Sequence, residues 1–450
     1  MTAPTKNKSI SVDSETKKKL REAGKLVAMK EIQETFEDSC IENKIGTFPK
    51  FHLAELTLGK ILGKGGFGTV YEVRGFIAGR PSKARKEENE DELLSNEGME
   101  SRQFIAEHCI RKGGDARYAV KILSAEIIAD PDNFTQGIID MAVETRVLCD
   151  IEHPNIIKMR ALAVESPFDE KYFIVMDRLY DTLEHRMKKW AAKAKRSNSF
   201  GGKLFDRKGE KRKNLLEEKL VAAFDLCAAI GYLHNRGILY RDLKPENVGF
   251  DIRDDIKLFD FGLAKELKSN MKPDENGLYR LTGMTGSPRY MAPEVGKEQP
   301  YNELCDAYSF ALLFWQIYSD KVPFEIYGMK SLRERVWNGE HKRPFVQECW
   351  PVPIKTLFRR AWSPDIFERP NFSQIYKILR TECVRIRDGN ADGLEHSRRR
   401  STFVFRGGIK SFRLSKGLST TELKKGSGEL SLKASGEFRG GGADLPTVHC

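Results

Sequence analysis

The sequence predicts an α+β fold in two lobes, a small strand-rich lobe followed by a larger helical one. Three observations carry this. Short alternating apolar runs fall at 56–59, 69–73 and 117–123, which is the signature of strands. Helical patterns dominate after residue 218, most clearly at 218–235 and 306–318. The chain also has the material for a core: it has 450 residues, 40% of them hydrophobic, with 26 Phe. That composition excludes a wholly disordered or fibrous protein.

Taken in order, residues 1–50 are a polar extension in which 13–36 reads helical, with Leu20, Val27, Ile32 and Phe36 on a loose apolar stripe. Packing on the main domain and packing on a partner both remain open for it. The main domain spans 53–385. Residues 75–116 interrupt its strands as a surface insertion centred on the acidic run 87–92, and 188–215 expand a loop ahead of the 218–235 helix. The tail 391–450 is rich in Gly, Ser, Lys and Arg and is expected to be disordered.

The net charge of +11 is localised. Residues 188–213 hold 11 Lys/Arg against 2 acids, and 391–450 hold 11 against 6, so the rest of the chain is slightly acidic. A nucleic-acid partner is therefore not expected for the globular part. The longest apolar run, 308–318, falls short of the roughly 18 residues of a membrane span. The first residues, Met-Thr-Ala-Pro-Thr-Lys, lack the apolar core of a secretory leader. Eight Cys are scattered with no CxxC pair, which fits free thiols in a reducing compartment. The expected location is cytoplasmic, with the nucleus also accessible to it.

Four strings carry chemistry. Leu62-Gly63-Lys-Gly65-Gly-Phe-Gly68-Thr-Val70 sits between strand-type residues, where glycines let backbone N–H groups approach phosphate oxygens. Tyr118-Ala119-Val120-Lys121 ends a strand on an ammonium suited to phosphates, and Glu144, on the helix that follows, is the carboxylate that could hold it. In Ile238-Leu-Tyr240-Arg241-Asp242-Leu-Lys244-Pro-Glu-Asn247-Val248 a carboxylate, a Lys two residues on and an Asn five residues on share one loop. They supply a base for a hydroxyl, a cation for a phosphoryl group and an oxygen ligand for a hard metal ion. Lys257-Leu-Phe-Asp260-Phe261-Gly262 adds a second carboxylate on a strand-to-loop turn.

With Ala292-Pro293-Glu294, these motifs stand in the order of the eukaryotic protein kinase family, which the chain resembles over residues 53–385. The resemblance implies a two-lobed kinase fold, ATP with Mg²⁺ (Mn²⁺ as an alternative), and transfer to a protein substrate. Lys121 would contact the α/β-phosphates and pair with Glu144. Asp242 would accept the substrate proton, Lys244 would stabilise the γ-phosphoryl group, and Asn247 and Asp260 would hold the metal ions. Met176 looks like the gatekeeper ahead of a hinge of Asp177, Arg178 and Leu179, while Leu62, Val70 and Ala119 would cover the adenine faces. Lys244 and Ser287 resemble the pattern of serine/threonine kinases and imply a shallow acceptor site that favours Ser and Thr over Tyr.

The strings 301–310 and 361–370 resemble the tyrosine-kinase-like group. There Asp306 would brace the catalytic loop, and Arg369 would pair with Glu294. Intact Lys121, Asp242, Asn247 and Asp260 argue against a catalytically silent scaffold. Two departures stand out: Tyr240 replaces the usual His, and Gly249 stands where a Leu usually floors the adenine site. The second predicts either weaker nucleotide binding or a neighbouring side chain in the gap. An unpaired Arg241 beside Asp242 would take a phosphate on Thr282 or Thr285, added by an upstream kinase or by a second copy in trans. Ser401 and Thr402, after three Arg, form a further candidate modification site.

Overall fold

A computed structural model describes residues 14–77, 96–199, 206 and 209–388. The acidic run 87–92, the tail 391–450 and the candidate sites Ser401 and Thr402 lie outside the described residues. The chain divides into units 1–394 and 395–450, and every element below belongs to the first.

The small lobe is built on six strands: β1 (Lys50–Phe51), β2 (Leu56–Lys64), β3 (Gly68–Phe76), β4 (Tyr118–Leu123), β5 (Met159–Ala163) and β6 (Phe173–Asp177), in the order β1-β5-β6-β4-β3-β2. All pairings are antiparallel except β1 with β5. The central strand β4 buries Tyr118, Ala119, Val120 and Leu123, as expected where both faces of a strand are covered. Its register sets Val70 opposite Lys121 and Ala119 opposite Met176. Because side chains alternate along a strand, Val70, Ala119, Lys121 and Met176 share one face.

Helix α1 (Ser14–Phe36) lies against α3 (Pro131–Leu148), with α2 (Asn96–Glu107) between them in sequence. The apolar stripe expected on α1 is packed only in part, with Ile32 and Phe36 half-buried and Phe36 under Arg146 of α3. Leu20 and Val27 are 48% and 57% exposed, whereas Ala28 is fully buried and Gly24 sits directly on Thr135. Close approach of two helix backbones selects small residues, so the contact face carries little hydrophobic signal.

The insertion at 75–116 also contains more than a surface loop. Its second half is α2, docked by buried Arg102, which bonds the Lys50 carbonyl and Glu55 and lies 4.4 Å over the Phe51 ring. The loop expected at 188–215 is largely helical. Thr182 accepts the His185 N–H and caps α4 (Leu183–Asn198), and α5 (Glu210–His234) begins well before residue 218. The Ala, Lys and Arg that dominate 188–198 are good helix formers, and this outweighs the loop reading.

The large lobe is centred on α6 (Leu304–Ser319), which is apolar on all sides and almost wholly buried. Around it pack α5, α7 (Val352–Ala361) and α8 (Phe372–Asp388), with Phe314 stacked near Phe310 and Phe358. The short strands β7 (Asp181–Thr182), β9 (Val248–Phe250) and β10 (Ile256–Leu258) form one ribbon, in the order β10-β9-β7, and β8 (Ile238–Leu239) pairs with β11 (Lys265–Glu266). These two ribbons set the loops that hold the polar cluster described next. No described helix is long and apolar enough to cross a membrane.

Candidate active site

Strand β4 delivers Lys121 and helix α3 delivers Glu144. Lys121 Nζ donates to Glu144 Oε2 at 2.6 Å and to Asp260 Oδ1 at 2.8 Å. Burial alone would lower the Lys121 ammonium, but the Asp260 and Glu144 carboxylates outweigh it and hold its pKa above the usual lysine value. The same ammonium lowers Asp260 against the effect of burial. Three elements distant in sequence are thus locked by one cation.

The loop after β8 is braced from below. Buried Asp306, on α6, accepts the backbone N–H groups of Tyr240 and Arg241, both at 2.8 Å, and faces His234 Nε2 at 2.9 Å. Tyr240 is buried, and its hydroxyl donates to the Phe259 carbonyl at 2.5 Å. The brace leaves Asp242 positioned by three side chains. Lys244 Nζ and Asn247 Nδ2 reach its Oδ2 at 2.6 and 2.8 Å, and Ser287 Oγ reaches its Oδ1 at 2.8 Å. Asn247 Nδ2 also donates to the Asp242 carbonyl. With its amide hydrogens on Asp242, Asn247 keeps Oδ1 as an acceptor.

Asp260 and Arg241 hold positive φ values, +66° and +68°. Gly286 (φ +93°) crosses this loop so closely that a Cβ there would lie 2.2 Å from the Arg241 carbonyl oxygen. Arg369 grips Glu294 with two bonds, 2.6 and 2.8 Å, away from the cluster.

The glycine hairpin is arranged differently. Gly65 N–H donates to the Gly68 carbonyl at 2.8 Å and closes the turn. A Cβ on Gly63 or Gly66 would meet nothing within 4 Å.

One feature escaped the sequence reading, and another bears out one of the two alternatives it left open at Gly249. Arg178 forms a buried ion pair with Glu72 at 2.6 Å, and a Cβ on Gly249 would lie 2.6 Å from Leu179 Cδ1. The Leu179 side chain therefore occupies the space left by the missing side chain at 249.

The unpaired Arg241 expected from sequence is corrected. Its Nε donates to the Leu263 carbonyl at 2.7 Å, and one Nη donates to the Tyr301 hydroxyl at 3.2 Å. The Tyr301 hydroxyl in turn donates to the Thr282 carbonyl at 2.7 Å. A buried phenol needs a polar partner, and here it ties residue 282 to the catalytic loop without any phosphate.

Asp260 and Asn247 offer hard oxygen donors, a set that fits a divalent cation completed by phosphate oxygens or water. Among the described residues no cluster of three or more His, Cys, Asp or Glu could hold a metal alone.

Residues 105–378 match the protein kinase domain family. The chain belongs to the protein kinase family. Members of this family use ATP and a divalent metal. The match starts beyond the glycine hairpin, so that part of the lobe rests on its strands and register. The kinase-family chain is 30% identical over 266 residues to the dual specificity protein kinase pyk3 of Dictyostelium discoideum, covering 59% of this chain and 17% of the relative. It is 31% identical over 265 residues to the cAMP-dependent protein kinase type 3 of Saccharomyces cerevisiae, covering 58% and 56%. It is 35% identical over 161 residues to the serine/threonine-protein kinase VIK of Arabidopsis thaliana, covering 35% and 36%. The chain thus spans between 17% and 56% of the length of these relatives.

Proposed function

We propose that this protein transfers the γ-phosphoryl group of ATP to Ser or Thr hydroxyls of protein substrates. The observation that carries the reading is the Asp242 carboxylate, held on both oxygens by Lys244, Asn247 and Ser287. A carboxylate fixed this way can orient an incoming hydroxyl and take its proton. Lys244, beside it, supplies positive charge where the phosphoryl group would pass. Lys121, kept cationic by Glu144 and Asp260, would hold the α/β-phosphates. Val70, Ala119 and Met176, on one face of the sheet, with Leu62 and the hinge residues Asp177 and Leu179, would receive the adenine. The glycines at 63, 65 and 68 would let the hairpin approach the phosphates.

Asp260 and Asn247 would hold Mg²⁺, which would neutralise phosphate charge when bound. Ser/Thr preference rests on Lys244 and Ser287. Because one matched relative carries a dual-specificity name, the deciding experiment offers Ser, Thr and Tyr peptides together. Radiolabel transfer from ATP should mark Ser and Thr peptides and be absent with Asp242→Asn. Equal kcat/KM on matched Tyr peptides would defeat the specificity, and label with Asp242→Asn would defeat the catalytic assignment. We place the activity in intracellular, cytoplasmic signalling.

A phosphate on Thr282 or Thr285, from an upstream kinase or a second copy, would act beside the anchor that Tyr301 already provides. Tyr301→Phe removes that neutral bond, worth about 1 kcal/mol, and should lower kcat about 5-fold. Thr282→Ala with Thr285→Ala should lower it further if phosphate adds to the anchor. No loss in the Thr variant of phosphorylated enzyme would remove phosphate from the account.

A further inference from the structure

The segment that precedes the sheet is bonded to all the parts that must hold still around Lys121. Along α3, Gly24 of α1 meets Thr135 so tightly that a Cβ on it would lie 2.1 Å from Thr135 Oγ1, and Ala28 is fully buried. Arg146, two residues beyond Glu144 on α3, donates to the Ile41 carbonyl at 3.0 Å and lies 5.3 Å over the Phe36 ring. Past the end of α3, Lys44 pairs with Asp150 at 2.5 Å. On the other side, the segment reaches the chain just beyond Asp260. Lys268 Nζ donates to the Glu34 and Glu37 carbonyls at 2.8 and 2.7 Å, taking up acceptors at the end of α1. Glu266, on β11, receives the Cys40 N–H at 2.8 Å and the Ser39 hydroxyl.

We propose that residues 14–44 are a positioning clamp: a built-in strap that sets the helix carrying Glu144 against the segment following Asp260 and so keeps both carboxylates on Lys121. The contacts explain why the strap acts on the site although none of its residues touches it. Its bonds fall on α3, on Ile128, Asp150 and Glu170 outside that helix, and on 266–270, and the separation of α3 from 266–270 fixes whether one ammonium can reach Glu144 and Asp260 together. Outward displacement of α3 from the 266–268 stretch would need either the Gly24–Thr135 contact or the Lys268 and Glu266 bonds to part. The strap therefore adds its own binding free energy to the state with Glu144 on Lys121. This inference rests on the phosphotransfer reading for its activity measurement but not for its exchange measurement.

The test uses the full chain. Gly24→Ala places a methyl group into Thr135 Oγ1 and should reduce kcat about 10-fold, with faster amide exchange over both 14–36 and 131–148. Adding Thr135→Ala removes the obstructing hydroxyl and should restore kcat to within about 2-fold of the parent and return both exchange profiles. Lys268→Met, milder and away from the helix contact, should lower kcat about 3-fold. Leu26→Glu, on the 69% exposed outer side of α1, should change nothing. Exchange over 304–319 reports the global fold.

Loosened exchange over 14–36 with tight 131–148 and parental kcat would overturn the clamp, as would failure of Thr135→Ala to rescue. If Gly24→Ala also unfolds 304–319, the Lys268→Met result decides: parental kcat and exchange overturn the proposal, and the 3-fold loss with faster exchange at 131–148 upholds it. A parental chain with no transfer to any peptide would defeat the phosphotransfer reading, while the linked exchange of 14–36 and 131–148 would still decide the clamp.

Discussion

The loop 240–247 and the glycine hairpin are opposite solutions to holding a chain beside the proposed site. Around residues 240–247 every arm is tied: Asp306 takes two backbone N–H groups, three side chains fix Asp242, and Gly286 passes with no room for a methyl. In the hairpin, the turn is closed by one backbone bond, and Gly63 and Gly66 have open space where a side chain would be. Glycine is demanded by the polypeptide's own packing at Gly286, and at Gly68, where a Cβ would lie 3.0 Å from the Ile122 carbonyl oxygen, but not at Gly63 or Gly66. At Gly63 and Gly66 the open space suits the proposed phosphate, which would seek bare backbone N–H groups.

The largest way to break this contrast is Asp242→Asn. It keeps the size of the side chain but removes the base, so kcat should fall at least about 100-fold. Nucleotide-induced thermal stabilisation should persist. A fall in stability of several kcal/mol instead would mean that the loop needs the charge of Asp242 for its fold.

Glycine substitutions sharpen the comparison. Gly286→Ala meets both a positive φ and the Arg241 carbonyl and should cost about 2 kcal/mol or more in denaturant unfolding. Gly63→Ala should leave stability within about 0.5 kcal/mol while raising KM for ATP several-fold. The reverse ranking would sink the assignment of the two glycine classes.

Burial within the tied lobe has its own signature. Asp225 on α5 is buried, and that burial, with the Asp255 charge nearby, pushes its pKa up to about 7. In the unfolded chain the carboxyl titrates near 3.9, so the folded state binds more protons between these values. Stability conferred by this group is greatest at low pH and is lost as pH rises through about 7. Asp225→Asn should raise the unfolding free energy at pH 8 by about 1–3 kcal/mol and flatten the decline between pH 5 and 8. An unchanged profile would show that Asp225 ionises normally.

The smallest effect concerns Leu179 and Gly249, the floor of the proposed adenine site. Leu179→Ala should raise KM for ATP roughly 3- to 10-fold by removing about 1 kcal/mol of apolar contact. Gly249→Leu alone collides with Leu179, and the two together should recover most of the loss. Additive losses in the double variant would mean that the side chains do not share the space.

How much of this was legible in the sequence depended on where the information lies. Lys121, Glu144, Asp242, Asn247 and Asp260 could be picked out because each stands at a fixed spacing within strings that resemble the kinase family's, and the structure brings them into two bonded clusters. The two lobes followed from period-2 and period-3.6 patterns. Helix α1 was readable as a helix, but its docking face only in part, because Gly24 and Ala28 pack by being small and leave Leu20 and Val27 to mislead the pattern. The partner of Arg241 was hidden for another reason. Tyr301 lies 60 residues on, and nothing local marks a buried phenol as the bridge to Thr282. The Leu179–Gly249 exchange likewise joins two segments that only the β7–β9 pairing brings together.

The positive φ values at Arg241 and Asp260 have a further consequence for how this protein can change. Each is a residue with a side chain held in a region that glycine occupies freely, at a cost of about 1–3 kcal/mol. The surrounding bonds outweigh that cost, so the backbone there is sprung rather than relaxed. Glycine at 241 or 260 would relieve the torsion but delete the Arg241 bonds to Leu263 and Tyr301, or the Asp260 partner of Lys121, so neither substitution should raise heat resistance. Robustness and chemistry thus draw on the same two side chains, and selection for either would keep both torsion angles strained.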